Sequence, residues 1–183
     1  VADLTLTAQN ALPQGDVAEV CGTSIRVPPM RPLTSLMPGA SQGLGQALKK
    51  HHGLTLPEPG QRTLSDTAEC LWFGHRQYLL VGVRPADSLT EVATLTDQSD
   101  AWSTVLLDGP LARDVLARLC PLDLRDAAFP MHATARSEIR HMMACITRVS
   151  ADGFRLMVFR SMADTLLHDL REALAMRAAR ENL

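Results

Sequence analysis

Aromatic side chains make up only 4% of this 183-residue chain, so the bulk of its interior must come from Leu, Val, Ala and Met. Lysine is almost missing: Lys49 and Lys50 stand alone, and the arginines that supply the other basic charges are scattered. With 18 basic against 20 acidic residues and no basic cluster, the chain lacks the electrostatic footprint of a nucleic-acid binder or of a protein held on anionic lipid. No apolar run approaches the roughly 18 residues of a membrane-spanning helix. The first residues carry an early Asp3 and no basic stretch before an apolar run, which argues against a secretory leader. C-x-x-C is also absent. Cys21, Cys70, Cys120 and Cys145 lie far apart, which fits reduced, buried thiols better than a disulfide framework. The expectation is a soluble cytoplasmic protein with neither nucleic acid nor membrane as partner. A chain of this length buries roughly 70% of its unfolded surface, so it needs no disulfide or metal to fold.

What is present is punctuated by turns. Residues 1–16 are polar and aperiodic and read as a loose N-terminal arm, leaving 17–183 as a single domain. Val17 to Val27 predicts a hairpin or bent strand around Gly22-Thr23, and Leu33 to Met37 a further strand. Ser41 to Lys50 predicts a helix loosened by Gly43 and Gly45, followed by a linker-like loop from Leu54 to Arg62. Glu69 to Phe73 and Tyr78 to Val83 flank a turn at Gly74-His75-Arg76-Gln77. Ser88 and Glu91 stand at capping-box spacing, which predicts a short helix from Ser88. Trp102 to Leu107 reads as a strand. Gly109-Pro110 then opens a helix with a stripe of Leu111, Val115, Leu116 and Leu119, closed by Pro121. Ile139 to Val149 and Phe154 to Phe159 are apolar on both faces, as in a hairpin of a covered sheet. Ser161, assisted by Asp164, predicts the cap of a long last helix with the stripe Ala163, Leu166, Leu167, Leu170 and Leu174. The pattern is α+β: a mostly antiparallel sheet covered by helices.

Residue by residue, no chemistry assembles. Gly39-Ala40-Ser41-Gln42-Gly43-Leu44-Gly45 matches the glycine-rich turn of short-chain dehydrogenases, which needs a buried strand before it and a catalytic Tyr with a Lys four residues later. The sole tyrosine is Tyr78, and Gly82 stands where the Lys would be. His51, His52, His75, His132, His141 and His168 show no metal-ligand spacing, and Asp164 with His168 reads as a local helix pair. No G-x-S-x-G elbow occurs, and Cys145 sits in a core-like run. Asp97 and Asp100 flank Ser99, either as turn residues or as groups placed for acid–base work. No catalytic, cofactor-binding or metal-ligating residue is assigned.

Several segments in order carry a resemblance. Trp72-Phe73-Gly74 followed by Tyr78-Leu79-Leu80 resembles the W-x-G-P-x-x-W-L hairpin of aminomethyltransferase-like folate-binding domains, with His75 and Tyr78 in place of Pro and Trp. Asp97-Gln98-Ser99 and Gly109-Pro110-Leu111-Ala112 through Val115-Leu116 resemble the D-x-S and G-P-x-A-x-x-V-L segments of that superfamily. Pro121-Leu122-Asp123-Leu124, Phe129 and the Arg160-Ser161-Met162-Ala163 junction complete the order. Together, over Ala68 to Leu174, these resemble the gamma subunits of heterotetrameric sarcosine oxidases. Pro130-Met131-His132-Ala133-Thr134 lacks the K-G-C-x-x-G-Q-E block of the folate-dependent iron–sulfur repair proteins. The resemblance implies a folate-binding-domain-like fold and a non-catalytic subunit that binds no cofactor itself. It implies an alpha subunit as main contact, beta and delta subunits as further partners, and FAD, FMN, NAD, tetrahydrofolate and zinc held by those partners. Such a complex demethylates sarcosine to glycine, forming methylene-tetrahydrofolate and hydrogen peroxide. It also implies apolar patches on the isolated chain. A stand-alone folate-binding or aminomethyl-transfer protein is the alternative, with Asp97 as the carboxylate facing folate. An unrelated α+β binding protein is the third reading.

Overall fold

The computed structural model describes residues 8–40 and 43–181. Eleven strands and three α-helices follow one another among these residues: β1 (Gly15–Val20), β2 (Thr23–Val27), β3 (Leu33–Pro38), α1 (Leu44–His52), β4 (Arg62–Leu64), β5 (Glu69–Gly74), β6 (Gln77–Val81), β7 (Ala93–Asp97), β8 (Trp102–Asp108), α2 (Ala112–Leu116), β9 (Thr134–Ile139), β10 (Met142–Arg148), β11 (Gly153–Phe159) and α3 (Ala163–Ala179). They form a six-stranded sheet in the order β1-β2-β8-β11-β10-β9 and a five-stranded sheet in the order β4-β5-β6-β3-β7. Every strand pairing is antiparallel. The α+β class read from the sequence is the one observed. Among the described residues no helix is long and apolar enough to cross a membrane.

Alternation along the strands sorts side chains into three apolar layers. On β8 and β11, Val105, Leu107, Leu156 and Val158 face α2 and α3, where they meet the predicted stripes of Leu111, Val115, Leu116, Leu166, Leu170 and Leu174. On the far side, Leu36, Cys70 and Leu80 meet Leu44 and Leu48 of α1. Between the sheets lie Leu33, Leu71, Phe73, Leu79, Val81, Trp102, Cys145 and Met157. Each sheet is therefore covered on both faces, which is why its strands read as nearly continuous apolar runs.

Several local expectations change. The stretch read as a loose arm is tied down at its end: Leu12 is buried, Asn10 Nδ2 donates to the Pro28 carbonyl, and β1 begins at Gly15. The 54–62 segment is no linker, since Leu54 is buried and Thr63 Oγ1 donates to the Thr55 carbonyl at 2.6 Å. Ser88 caps no α-helix; Asp87–Glu91 is one 3-10 turn, and Ser88 Oγ meets His51 Nε2 instead. Pairing with β3 claims the residues that follow as strand β7, an edge that tertiary contacts decide. The Ile139–Val149 run is two strands, because Arg140 takes a left-handed φ of 55° and turns the chain sharply before Met142. Ser161 lies in a 3-10 turn, and α3 starts after Met162 with no side-chain cap. Ser41 and Gln42, the first residues of the predicted 41–50 helix, lie outside the described residues.

The β8–α2 corner depends on Gly109. Its φ of 128° suits glycine, and an added Cβ would lie 2.7 Å from Thr23 Cα, in backbone rather than yielding side chain. That closeness lets Thr23 Oγ1 accept the Leu111 N–H at 2.9 Å, a fully buried bond joining β2 to the start of α2. Gly109→Ala should therefore lower unfolding free energy by about 2–3 kcal/mol, read from urea denaturation midpoints.

Candidate functional site

The layer between the sheets changes character along its length. Trp102, Phe73 and Leu79 fill one part, and a charged group fills another. Glu69 on β5 points into this layer from the five-stranded sheet, as does Arg62 on β4; Arg155 comes from β11 in the opposite sheet. Arg155 Nη1 donates to Glu69 Oε1 at 2.6 Å, and Arg62 Nη1 donates to Oε2 at 2.7 Å. Arg31, in the loop after β2, adds a third donor to Oε1 at 3.1 Å. All three members from the strands are buried, with side chains 6–8% exposed. Burial pushes the Glu69 carboxyl up, yet Arg155 and Arg62 together outweigh it and hold it at about 2, below its ordinary value of 4.5.

Arg31 reaches this group across Gly82. A Cβ there would overlap the guanidinium and lie 2.9 Å from the Thr67 carbonyl, which Arg31 Nη2 also donates to. The glycine is thus a slot for the arginine, in a backbone conformation with φ of 101°.

Beside the charged group is a cavity of about 120 Å³ lined by Arg155, Arg31, Trp102, Leu106, Met157 and Ser99, among others. A more open groove of about 540 Å³ adjoins it, sharing Met30, Arg31 and Ser99 and reaching Asp97, Asp100 and Arg84. At the shared edge, Ser99 donates both its N–H and its hydroxyl to Asp97 Oδ1, at 2.9 and 2.6 Å, while Ser99 Oγ accepts the Leu33 N–H at 3.0 Å. These bonds from Ser99 hold the Asp97 carboxyl below the usual carboxylate range, so at neutral pH it is an ionised acceptor with little aptitude for acid–base work. The D-x-S spacing therefore builds a turn that pins β7 to β3 at the lip of a groove. The sequence named Asp97 and Ser99 but did not bring together Glu69, Arg62 and Arg155, whose pairings span 7 and 86 residues.

The remaining candidates stay separate. The glycine-rich segment does follow a strand, but β3 has antiparallel neighbours on both sides, and Gly43 sits where a Cβ would come 2.7 Å from Val92 Cγ1. Its glycine serves close packing. Tyr78 is half-buried against the α1 layer. His52 Nε2 accepts the Ala86 N–H, and its burial and the neighbouring His51 lower its pKa; His75, His132 and His141 are exposed in turns. His168, Asp169 and Glu172 bring ligand atoms within 4.8 Å of one another on α3, and Glu172 also faces Arg140 at 3.7 Å. Asp164 borders a shallow depression near Phe159. Of the cysteines, Cys70, Cys120 and Cys145 are buried as expected, and Cys21 is exposed in the β1–β2 turn. Burial pushes the Cys70 thiol up to about 12.

Residues 75–180 match the family described as the GCVT N-terminal domain. No curated protein matches the sequence. Among solved structures, a chain of the heterotetrameric sarcosine oxidase from Corynebacterium sp. U-96, in complex with pyrrole 2-carboxylate, is similar with a TM-score of 0.77 and 21% identity, over 89% of this chain and 89% of that one. The glycine cleavage system aminomethyltransferase T from Bartonella henselae is similar with a TM-score of 0.51 and 17% identity, over 77% of this chain and 43% of that one. Both likenesses are of fold.

Two outcomes follow from the charged layer and the thiols. Glu69→Gln leaves buried guanidiniums without their carboxylate and should cost about 3–5 kcal/mol at pH 7 in denaturant unfolding. Because the folded-state pKa of about 2 lies below the ordinary 4.5, this stabilisation is complete above pH 4.5 and is lost as pH falls toward 2. The wild-type and Glu69→Gln stability curves should accordingly converge over that window. In native protein at pH 8 a chromogenic disulfide should titrate one thiol rapidly, and Cys21→Ser should remove that phase.

Proposed function

The chain belongs to the GCVT N-terminal domain family, and from that premise we propose that it is the non-catalytic gamma subunit of a heterotetrameric sarcosine oxidase. In this reading alpha, beta and delta subunits surround it, with alpha as the main contact. They hold FAD, FMN, NAD, tetrahydrofolate and zinc, and the assembly demethylates sarcosine in the cytoplasm. The reciprocal coverage carries the reading: 89% of this chain aligns with 89% of an oxidase chain, against 43% of the aminomethyltransferase. The site agrees with it. Asp97, the carboxylate nominated to face a folate, is tied up by Ser99 and kept ionised, and the charged group next to it serves to join the sheets. The surface agrees as well. Phe159 stacks on Trp102 at 4.7 Å yet remains 45% exposed, and Met143 and Met162 on the neighbouring segments are as open, which suits a chain that works inside an assembly.

The alternative, a stand-alone folate-binding or aminomethyl-transfer protein, draws on the open groove ending at Asp97, whose volume is in the range of small-molecule sites. Affinity purification of the tagged chain from its native cell separates the two. The expected result is a yellow complex, with flavin absorbance, larger subunits in the mass spectrum and sarcosine-dependent peroxide release. A colourless, partner-free chain that retains a pterin would overturn the subunit reading in favour of the alternative.

A further inference from the structure

Beyond that role, we infer that His52 is a pH-operated latch: its neutral ring holds residues 84–88 against the end of α1, and protonation lets them go. The chemistry of one bond carries this. The Ala86 N–H donates to His52 Nε2 at 3.2 Å. A backbone N–H only donates, so Nε2 must keep its lone pair and the ring proton must sit on Nδ1. An imidazolium has no acceptor left and would set two donors against each other. His51 makes the contrast. Its Nε2 lies 3.0 Å from Ser88 Oγ, and a hydroxyl accepts as readily as it donates, so that contact survives a charge on His51. Two adjacent rings on one helix therefore reach the same segment, and only His52 has to be neutral to hold it.

The surroundings set the direction. The last turn of α1 carries Lys49, Lys50, His51 and His52 before Gly53, and a helix C-terminus favours such charge. At His52 burial works against it, and His51 adds to the opposition, so the ring stays neutral to a pH below its ordinary value of 6.5. Arg84, Asp87 and Glu91 are the charged groups on the segment packed against α1, and Asp66 follows Ser65, which abuts Gly53. Of these and the α1 cations, His51 is the one whose charge bears on His52. The latch also has something to release. Arg84 and Pro85 form part of the wall of the groove that reaches Asp97. Just beyond Ala86, Leu89 of the Asp87–Glu91 turn is fully buried in one layer with Leu44 and Leu48. That apolar anchor holds when the His52 bond breaks, which confines the movement to the groove wall.

Nitrogen NMR of the full chain with labelled imidazoles reads the tautomer directly. At pH 7.5 His52 should be in the neutral Nδ1–H form with Nε2 unprotonated, and its titration midpoint should fall below 6.5. Hydrogen exchange reads the latch. With intrinsic exchange rates divided out, protection of the Ala86 amide should drop by about threefold to tenfold from pH 7.5 to pH 5.5. Tenfold is roughly the ceiling for one group that titrates near 6.5 in the open state. His52→Gln supplies an acceptor oxygen that no proton removes, and should hold Ala86 protection constant to within about twofold. An Nε2–H tautomer at His52, wild-type protection that does not change between the two pH values, or an equal drop in His52→Gln would overturn the latch. The tautomer is read in unaltered protein, so the test stands even where the variant does not fold. None of these readouts involves a partner subunit or a folate, so the latch and the subunit reading fail separately.

Discussion

The carboxylate of Glu69, fixed between guanidiniums from both sheets, is the constraint around which the other parts of this fold are arranged. Two sheets packed face to face by aliphatic side chains could slide, since dispersion and burial are indifferent to small shifts of Leu against Val. A charge pair at 2.6 Å between β5 and β11 allows no such slip, because breaking it leaves a bare ion in a medium that solvates ions poorly. Its value lies in position more than in net stability. Burial penalises Glu69 and also pulls the Arg62 guanidinium down, and the interaction between them works against both costs. A similar volume of Leu and Met could hold the layer as tightly but would not specify which strand faces which.

That fixed point determines where open space is left. Arg155 stands up from β11 toward Glu69 and lines the cavity beside Leu106 and Met157. Arg31 closes over the top, with Gly82 removed from its path and the Pro28-Pro29 pair stiffening the loop that presents it. Ser99, bonded to Asp97 and to the β3 backbone, forms the opposite rim. Cavity and ion group adjoin, sharing Arg155 and Arg31, with Ser99 on the rim.

How much of this the sequence discloses depends on the range of the interaction. The hairpin at Glu69–Val81, the strand at Trp102 and the stripe of α3 are local patterns of apolar period and turn chemistry, and they appear where the sequence places them, whereas α2 ends at Leu116, short of the Leu119 read into its stripe. β7 and the β9–β10 turn are legible only in retrospect. The first is made strand by a neighbour some sixty residues away, and the second turns at an arginine where a glycine or asparagine would have signalled it. Of the site, Asp97 and Ser99 are found from sequence because they bond across two residues. Glu69 and Arg155 are not, because neither neighbourhood names the partner: Glu69 precedes an apolar run, and Arg155 interrupts one. An arginine between Phe154 and Leu156, inside a strand apolar on both faces, was the one available sign.

Such a residue has to be accounted for by what it reaches. Arg148, on the adjacent strand β10, is as buried and shows the contrast: its guanidinium donates to the carbonyls of Phe129, Ser150 and Ala151 and meets Asp126 at 2.7 Å, so its donors are taken up by loops of the chain itself. Arg155 has the same burial and only one of its edges engaged. Two arginines in one sheet, each desolvated to a like degree, differ in that one is a clamp for loops and the other a tie between sheets. A fold that satisfies the first so fully has the means to satisfy the second, by a carbonyl or a carboxylate from the Pro28–Pro32 loop that passes over it. That this loop brings a further cation instead, Arg31, puts two guanidiniums on Glu69 Oε1 and leaves that one carboxylate to hold both in place.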